Sequence, residues 1–329
     1  MAHGNVNEIY PKLGKKIDGT TTREPWNQSL YEILHTPESR FKCLKDYPFQ
    51  PHFVNVNNLQ IHYVYEGPVY SQPVLLLHGV PAWSYLYRHL IRIIAKSGIR
   101  VVAPDLIGFG KSDKPENKKS HTYQSHVEWI TSFINVLKLK EITLFCHDWG
   151  SLIGLRIAAM HPELFTGIII SNGMMPTGEH KIDPVFNLWK LFSSYSPYIP
   201  VDYIIQSGTL RKLDKEERRA YRAPFPSSEY KAAIRALPSR VPISPEDSES
   251  IINNKLWKSL SRWEKPFLTV FSNHDPITNG GDLYMQKRIP GAVGRNHVRL
   301  DAGHFIQEDR YLELAEIIIR FHKKSGSEP

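Results

Sequence analysis

Short apolar runs separated by amphipathic stretches dominate the pattern of this sequence. A continuous apolar run predicts a strand that is covered on both faces, whereas strict alternation predicts a strand with one solvated face. Continuous runs occur at 73–78, 100–104, 142–147, 167–171, 267–271 and 297–300, and alternation occurs at 52–56 and 60–66. Helical spacing follows at 85–96, 123–137, 149–160, 281–288 and 312–323. This alternation predicts a mostly parallel sheet of eight strands flanked by helices, with an antiparallel pair at one edge.

The alternation of strand and helix patterns stops between 176 and 242, where no strand pattern occurs. This segment is rich in aromatic residues and proline, and its helical pieces lie at 185–193, 213–221 and 228–237. We therefore predict a helical cap domain at 176–242, inserted into a core domain made of 32–175 and 243–329. Residues 1–31 are polar and aperiodic, which predicts a polar N-terminal extension over the surface.

The strand at 142–147 leads into a helix through a tip that contains Asp148. Small residues, Cys146 and Gly150, flank this tip. A sharp strand-to-helix elbow of this kind is where an α/β-hydrolase holds its nucleophile, which is usually a serine. An aspartate before a helix is, taken alone, more often an N-cap than a nucleophile. The acid and base residues further along the chain favour the nucleophile.

Two further ionisable residues, Asp275 and His304, follow the last two predicted strands. Catalytic groups of open α/β sheets gather at the carboxyl ends of the strands, and the order nucleophile, acid, histidine is that of an α/β-hydrolase triad. Asn172 stands at the other usual position for the acid and cannot be ionised. Asp301 is an alternative acid, but it is too close in sequence to reach the far side of the imidazole. A turn-forming role before a proline competes for Asp275.

An aspartate nucleophile limits the chemistry of the site. A carboxylate that attacks saturated carbon forms an alkyl ester, which water cleaves at the carbonyl carbon of the enzyme, whereas a serine would form a stable ether. Asp148 therefore predicts displacement at sp3 carbon, with a halide or an epoxide oxygen as the leaving group. His304 is the predicted base for the water of the second step, and Asp275 would orient its imidazole.

The intermediates and the leaving group need hydrogen-bond donors. The backbone N–H groups of Val80 and Trp149 are the predicted oxyanion hole. A halide needs N–H donors in a dry pocket, and the indole of Trp149 supplies one. Trp189, in the predicted cap, is the candidate for the second donor, although an aromatic residue on this apolar stripe also suits the interior of the cap.

The sequence resembles those of haloalkane dehalogenases from about residue 33 to residue 323. The resemblance is carried by 78–88, 105–115, 147–150, 222–226, 301–305 and the placement of Trp189. It is greatest with the group whose catalytic acid follows the seventh strand and whose halide site has two tryptophans. It implies an α/β-hydrolase fold, an Asp148–Asp275–His304 triad, a Trp149–Trp189 halide site and Phe186 in the halide pocket. Val80 departs from the family, which usually has a polar residue at this position.

Two other functions stay open. An epoxide hydrolase shares the motifs at 108–115 and 147–150 and would need two cap tyrosines that face Asp148. The segment offers Tyr195, Tyr198, Tyr203, Tyr221 and Tyr230, and their spacing selects no pair. A non-catalytic binding protein of the same fold would usually lack part of the triad, which is intact here.

Composition and charge add a few constraints. The 329 residues carry a formal net charge of +8, but lysine and arginine are scattered among acidic residues, which favours a solvated basic surface over nucleic-acid or membrane binding. Two cysteines, no apolar signal region and no apolar run of ~18 residues predict a cytoplasmic protein without membrane spans or disulfides. We expect no cofactor and no metal, a small halogenated alkane, water and halide as partners, and a monomer or weak homo-oligomer.

Overall fold

The computed structural model describes residues 32–179 and 183–325, so the prediction for 1–31 lies outside the described residues. All eight predicted strands form, and each lies within two residues of its predicted bounds. They are β1 (His52–Val56), β2 (Leu59–Glu66), β3 (Pro73–Leu77), β4 (Arg100–Pro104), β5 (Ile142–His147), β6 (Phe165–Ser171), β7 (Phe267–Ser272) and β8 (Val298–Leu300).

The eight strands form one sheet in the order β8-β7-β6-β5-β3-β4-β2-β1. In this order, the six strands from β8 to β4 run parallel to one another. Strand β2 pairs antiparallel with β4, and β1 pairs antiparallel with β2. This arrangement confirms the predicted mostly parallel sheet with an antiparallel edge. Because β3 pairs with both β4 and β5, the loop after β3 lies beside the loop after β5. Ligand sites of open α/β sheets occur at such a point, where the strand order reverses.

Eleven α-helices surround the sheet within the described residues. They are α1 (Arg88–Lys96), α2 (Tyr123–Val136), α3 (Trp149–Met160), α4 (Pro184–Tyr195), α5 (Val201–Ser207), α6 (Lys215–Arg222), α7 (Ala232–Ala236), α8 (Ser248–Leu260), α9 (Gly281–Arg288), α10 (Ile306–Asp309) and α11 (Tyr311–Ser325). Helix α1 packs on α11, and α3 packs on both α2 and α8. Every residue of β3, β5 and β7 is buried, as expected for strands covered on both faces. In this part of the chain, no helix combines the length and the hydropathy that crossing a bilayer requires.

Helices α5, α8 and the four-residue α10 were not predicted. Helix α8 is amphipathic only weakly, because Ser250 and Asn253 lie on its buried side and interrupt the apolar spacing. Helix α5 has only seven residues, which is too short to show a helical period. The predicted helix at 85–96 starts as a 3-10 turn, Ser84–Tyr87, and becomes α-helical at Arg88.

Helices α4 to α7 lie between β6 and β7 in the chain, and the described residues of this stretch contain no strand. Helix α4 packs on α7 and on the 3-10 turn Leu237–Arg240, whereas α5 packs on α6. The end of α5 reaches the loop that carries His304, since the backbone N–H of Phe305 donates to the carbonyl oxygen of Gly208 at 2.9 Å. The helical segment thus contacts the carboxyl end of the sheet.

Candidate active site

Asp148 occupies the turn between β5 and α3 in a backbone conformation that few residues adopt. Its φ and ψ angles are 50° and −123°, a region that costs strain for any residue with a side chain. The turn requires small neighbours, because a Cβ atom at Gly150 would lie 2.1 Å from the carbonyl oxygen of Leu77. The Asp148 side chain makes no capping hydrogen bond to α3, so the N-cap interpretation does not describe it.

The two carboxylate oxygens of Asp148 have different surroundings. Oδ1 accepts a hydrogen bond from the backbone N–H of Val80 at 2.7 Å, and the backbone of Trp149 lowers the pKa of the carboxylate. Oδ2 lies 3.7 Å from Nε2 of His304. Burial alone would raise the pKa of Asp148, but the neighbouring His304 outweighs burial and lowers the pKa. The carboxylate is therefore ionised, with Oδ1 held by the Val80 N–H and Oδ2 near His304.

His304 lies between two carboxylates. Its Nδ1 donates to Oδ2 of Asp275 at 3.1 Å. Burial alone would lower the pKa of His304, but Asp275 and Asp148 outweigh burial and raise the pKa to about 10. For Asp275, burial alone would raise the pKa, but His304 outweighs burial and lowers the pKa. The imidazole is thus a cation in the resting site.

Asp275 is fixed by two further donors. The Thr278 hydroxyl donates to Oδ2, the oxygen that also faces His304. The N–H of Ile277 donates to Oδ1 at 3.0 Å. Thr278 was not identified from the sequence, although its spacing of three residues from an aspartate that precedes a proline is typical of a side-chain-stabilised turn. The turn-forming role and the contact with His304 therefore occur together in Asp275.

Asp301 does not contact His304. Its side chain is 62% exposed and lies 2.8 Å from Nε2 of His274 and 3.1 Å from Nη2 of Arg310. Asn172 is buried next to the triad, and its Nδ2 donates to the carbonyl oxygen of His304 at 2.8 Å. The geometry therefore places Asp275, and neither Asp301 nor Asn172, against the imidazole.

Side chains that the sequence analysis did not single out hold the backbone around His304. Nε2 of His147 donates to the carbonyl oxygen of His304 at 2.8 Å. Burial lowers the pKa of His147 to about 4, so this ring is neutral. On the other side, Asp309 accepts from the N–H of Gly303 at 2.8 Å and from the N–H of Arg211 at 2.9 Å. Asp309 thus joins the histidine loop to the segment after α5.

A cavity of about 320 Å³ opens above Asp148 and His304. The predicted residues Val80, Trp149, Phe186 and Trp189 also line it. Most other lining side chains are apolar, among them Leu152, Met174, Val185, Ile204, Leu210, Val241, Ile243, Ile277 and Phe305. Trp149 is buried at 3% exposure, and Trp189 is half-buried against the core. Such a wall repels water and suits an apolar substrate.

None of the described tyrosines lines this cavity. Tyr221 is buried and its hydroxyl donates to Glu308, whereas the hydroxyl of Tyr230 donates to the carbonyl oxygen of His35 at 3.4 Å. Tyr195, Tyr198 and Tyr203 are exposed. The pair of proton donors that an epoxide hydrolase needs is therefore not found in the described part of the chain. Nor do three or more His, Cys, Asp or Glu side chains come together there in a group that would hold a metal ion.

The sheet order and the aspartate elbow define an α/β-hydrolase in which aspartate replaces the usual serine. The family model for the alpha/beta hydrolase fold matches residues 72–311. Haloalkane dehalogenases from Mycolicibacterium paratuberculosis and Psychrobacter cryohalolentis are both 47% identical over 296 residues, which cover 88% of this chain and 98% of each relative.

A solved structure, of the tetrameric haloalkane dehalogenase DpaA from Paraglaciecola agarilytica, is 30% identical. It superimposes with a TM-score of 0.82 over 87% of this chain and 97% of that chain. The chain therefore belongs to the haloalkane dehalogenases, and it is a hydrolase that acts on carbon–halogen bonds. The resemblance drawn from the sequence motifs is confirmed.

Proposed function

We propose that this enzyme hydrolyses haloalkanes through a covalent ester on Asp148. Oδ2 attacks the carbon that bears the halogen, a C–O bond forms, and the halide leaves with the electron pair of the carbon–halogen bond. The observation that carries this proposal is the difference in surroundings between the two carboxylate oxygens of Asp148. Oδ1 is held by the N–H of Val80 at 2.7 Å, whereas within the described residues Oδ2 accepts no backbone hydrogen bond and lies 3.7 Å from Nε2 of His304, in a side chain that lines the cavity.

The departing halide needs stabilisation where water is scarce. We assign this role to the indole N–H groups of Trp149 and Trp189, which are donors without an acceptor lone pair. Both residues line the cavity with Asp148, and the Val80 side chain, which also lines it, supplies no donor. Phe186 adds the positive edge of an aromatic ring on the same helix as Trp189. Charge-assisted hydrogen bonds of this kind are stronger in a dry site than in water.

The second step returns Asp148 to its free form. Water attacks the ester carbonyl carbon while His304 accepts its proton, and the oxyanion that develops on Oδ1 is stabilised by the N–H groups of Val80 and Trp149. Collapse of this intermediate releases the alcohol, and the proton passes to solvent. Asp275 keeps Nδ1 of His304 protonated, so that Nε2 is the atom that acts as the base.

The helical segment at 176–242 acts in this proposal as a cap over the carboxyl end of the sheet. Helix α4 supplies Phe186 and Trp189 to the cavity, and the end of α5 supplies Ser207 and Gly208. Because the core supplies the triad and the cap supplies much of the cavity wall, we assign reaction type to the core and preference for chain length and halogen to the cap.

The partners in this reaction are a small halogenated alkane, water and a halide ion. The relative DpaA is tetrameric. For this chain a monomer or weak homo-oligomer stays a prediction, and light scattering after size-exclusion chromatography measures it.

Halide release tests the proposed activity. With 1-bromobutane and 1,2-dibromoethane, the enzyme should release bromide and acidify the solution at equal rates, because each turnover forms one halide and one proton. Styrene oxide should not be hydrolysed, since no described tyrosine faces Asp148. Turnover of styrene oxide without bromide release from either alkane would replace the proposal with epoxide hydrolysis.

A further inference from the structure

A second cavity of about 300 Å³ lies between the 3-10 turns Glu38–Phe41 and Glu229–Lys231 and helices α5 and α6. Among the described residues, none lines both this cavity and the cavity above Asp148. Four of its lining side chains are cationic, namely Arg40, Arg219, Arg222 and Lys231. The catalytic cycle uses none of them. The cavity is therefore a strongly positive recess outside the active site.

The cationic side chains are held in place by backbone oxygens. Nε of Arg40 donates to the carbonyl oxygen of Ala223 at 2.8 Å, and Nη2 of Arg219 donates to that of Cys43 at 2.8 Å. Nζ of Lys231 donates to the carbonyl oxygen of Ile199 at 3.0 Å. A guanidinium has five N–H donors and an ammonium has three. Each of these side chains thus has donors left after its anchoring bond.

The recess holds too little negative charge to balance these cations. Asp202 is the one lining carboxylate in the described residues, and it is buried. Its Oδ2 accepts from Nη2 of Arg218 at 2.9 Å and lies 3.7 Å from Nη1 of Arg222. Within 32–179 and 183–325, neither Arg40, Arg219 nor Lys231 forms an ion pair with a carboxylate in the recess. Three cationic side chains therefore line the recess without forming an ion pair with a described carboxylate there.

The surroundings of Lys231 show the same imbalance. Burial lowers the pKa of Lys231, and the neighbouring cation Arg235 lowers it further, against a smaller opposite effect of Asp202. Its Nζ lies 5.3 Å from the centroid of the Tyr198 ring. Tyr198 and the buried Phe225 give part of the wall an aromatic character. An anion in the recess would restore the balance of charge, and an apolar body attached to it would cover the aromatic wall.

We propose that this recess is a binding site for a small organic oxyanion, a carboxylate or phosphate ester with an apolar or aromatic body. The cations bind the oxygens by charge-assisted hydrogen bonds, and arginine suits the planar or tetrahedral oxygen groups of these ligands. A volume of about 300 Å³ is at the lower end of the range of small-molecule sites. The proposal is independent of the dehalogenation mechanism, because the two sites share no residue.

Isothermal titration calorimetry of the full chain tests the site with phenyl phosphate and benzoate as probes and phenol as the neutral control. At least one of the two anions should bind saturably with a stoichiometry of one, and phenol should not. The anion that binds more tightly identifies the preferred oxygen group. Lys231→Met and Arg222→Met should each weaken binding about tenfold, the loss expected for one charge-assisted hydrogen bond. Lys212→Met removes an exposed cap lysine outside the recess and should leave binding unchanged.

Three results would overturn the proposal. They are the absence of saturable binding for both anions, equal binding of phenol, and unchanged affinity in both recess variants. Competition by sodium bromide at the same concentration as benzoate would reduce the recess to an unselective anion patch and would also count against it. Because Arg222 is 52% exposed, its replacement should not unfold the protein, so a loss of binding in that variant is separable from a loss of fold.

Discussion

Nε2 of His304 lies 3.7 Å from Oδ2 of Asp148, a separation longer than a hydrogen bond. The two charges attract each other, and no hydrogen bond within the described residues occupies the oxygen that we propose as the attacking atom. In the resting site the two carboxylates Asp275 and Asp148 raise the pKa of His304 to about 10. In the proposed mechanism, ester formation on Asp148 would remove one of these negative charges, so it would lower the pKa of His304 and make a neutral base available. The charges of the triad therefore favour the base only after the first step.

Replacing His304 should separate the two chemical steps. His304→Phe keeps Asp148 and its backbone donors, so the variant should release about one equivalent of bromide from 1-bromobutane and then stall. Mass spectrometry of the intact protein should show the added butyl group. His274→Phe is the matched control, because His274 also lines the cavity but pairs with Asp301. Normal turnover by His304→Phe would remove His304 from the role of base.

Replacing Asp275 and replacing Asp301 should have different effects on kcat, because, of the two, only Asp275 contacts His304. Asp275→Asn should lower kcat by about 10²–10⁴-fold, since the imidazole loses the partner that sets its tautomer. Asp301→Asn should change kcat by less than about twofold, because its carboxylate is exposed and faces His274 and Arg310. The comparison uses initial rates of bromide release at saturating substrate. A larger loss in Asp301→Asn than in Asp275→Asn would reverse the assignment.

Bromide binding reports on the proposed tryptophan pair. Added bromide should quench the tryptophan fluorescence of the wild-type protein saturably. Trp189→Phe should weaken this binding about tenfold, the cost of one hydrogen bond to a charged partner. Trp263→Phe is the control, because Trp263 is buried outside the cavity and its Nε1 has no hydrogen-bond partner among the described residues. Linear quenching in the wild type, or unchanged affinity in Trp189→Phe, would count against the halide site.

Glu308 makes a pH-dependent contribution to stability. It is fully buried, and Arg88 donates to its Oε1 at 2.5 Å and to its Oε2 at 3.0 Å. Burial would raise the pKa of Glu308, but Arg88 and Arg211 outweigh burial and lower the pKa from 4.5 to about 2. This contribution is therefore present above pH 4.5 and is lost as the pH falls from 4.5 toward 2.

Glu308→Gln should lower the free energy of unfolding at pH 7 by about 3 kcal/mol, because it removes one of the two carboxylates that pair with buried Arg88 and leaves only Glu217. The variant should lose less stability than the wild type between pH 4.5 and pH 2. Urea denaturation across this range measures both effects. Glu313→Gln, at an exposed ion pair with Arg310, should cost less than about 1 kcal/mol. Parallel pH dependences for the wild type and Glu308→Gln would contradict the role of Glu308.

The parts of the fold that follow from local apolar spacing could be predicted, and those that depend on distant partners could not. Every residue of the run at 142–147 is buried, so its continuous apolar pattern was enough to predict β5. In contrast, the buried face of α8 carries Asn253, which binds the guanidinium of Arg156 at 2.6 Å. The two residues are 97 positions apart in the chain, and the apolar spacing around Asn253 does not predict their contact.

The same division applies to the candidate site. Asp148, Asp275 and His304 could be proposed from the sequence because each follows a strand at the same edge of the sheet. Asp309 could not, because its role lies in bonds to Gly303 and Arg211 that join two segments far apart in the chain. Family resemblance supplied Phe186, which spacing alone did not distinguish from other aromatic residues of the cap.

The route of oxygen in a single turnover tests the central claim most directly. Enzyme in excess over 1-bromobutane reacts in water enriched in ¹⁸O, and the butanol and the peptide that contains Asp148 are analysed by mass spectrometry. Attack by Asp148 predicts unlabelled butanol, because its oxygen comes from the carboxylate, and one ¹⁸O atom in the side chain of Asp148. Labelled butanol with an unlabelled Asp148 peptide would show direct displacement by water and contradict the ester mechanism.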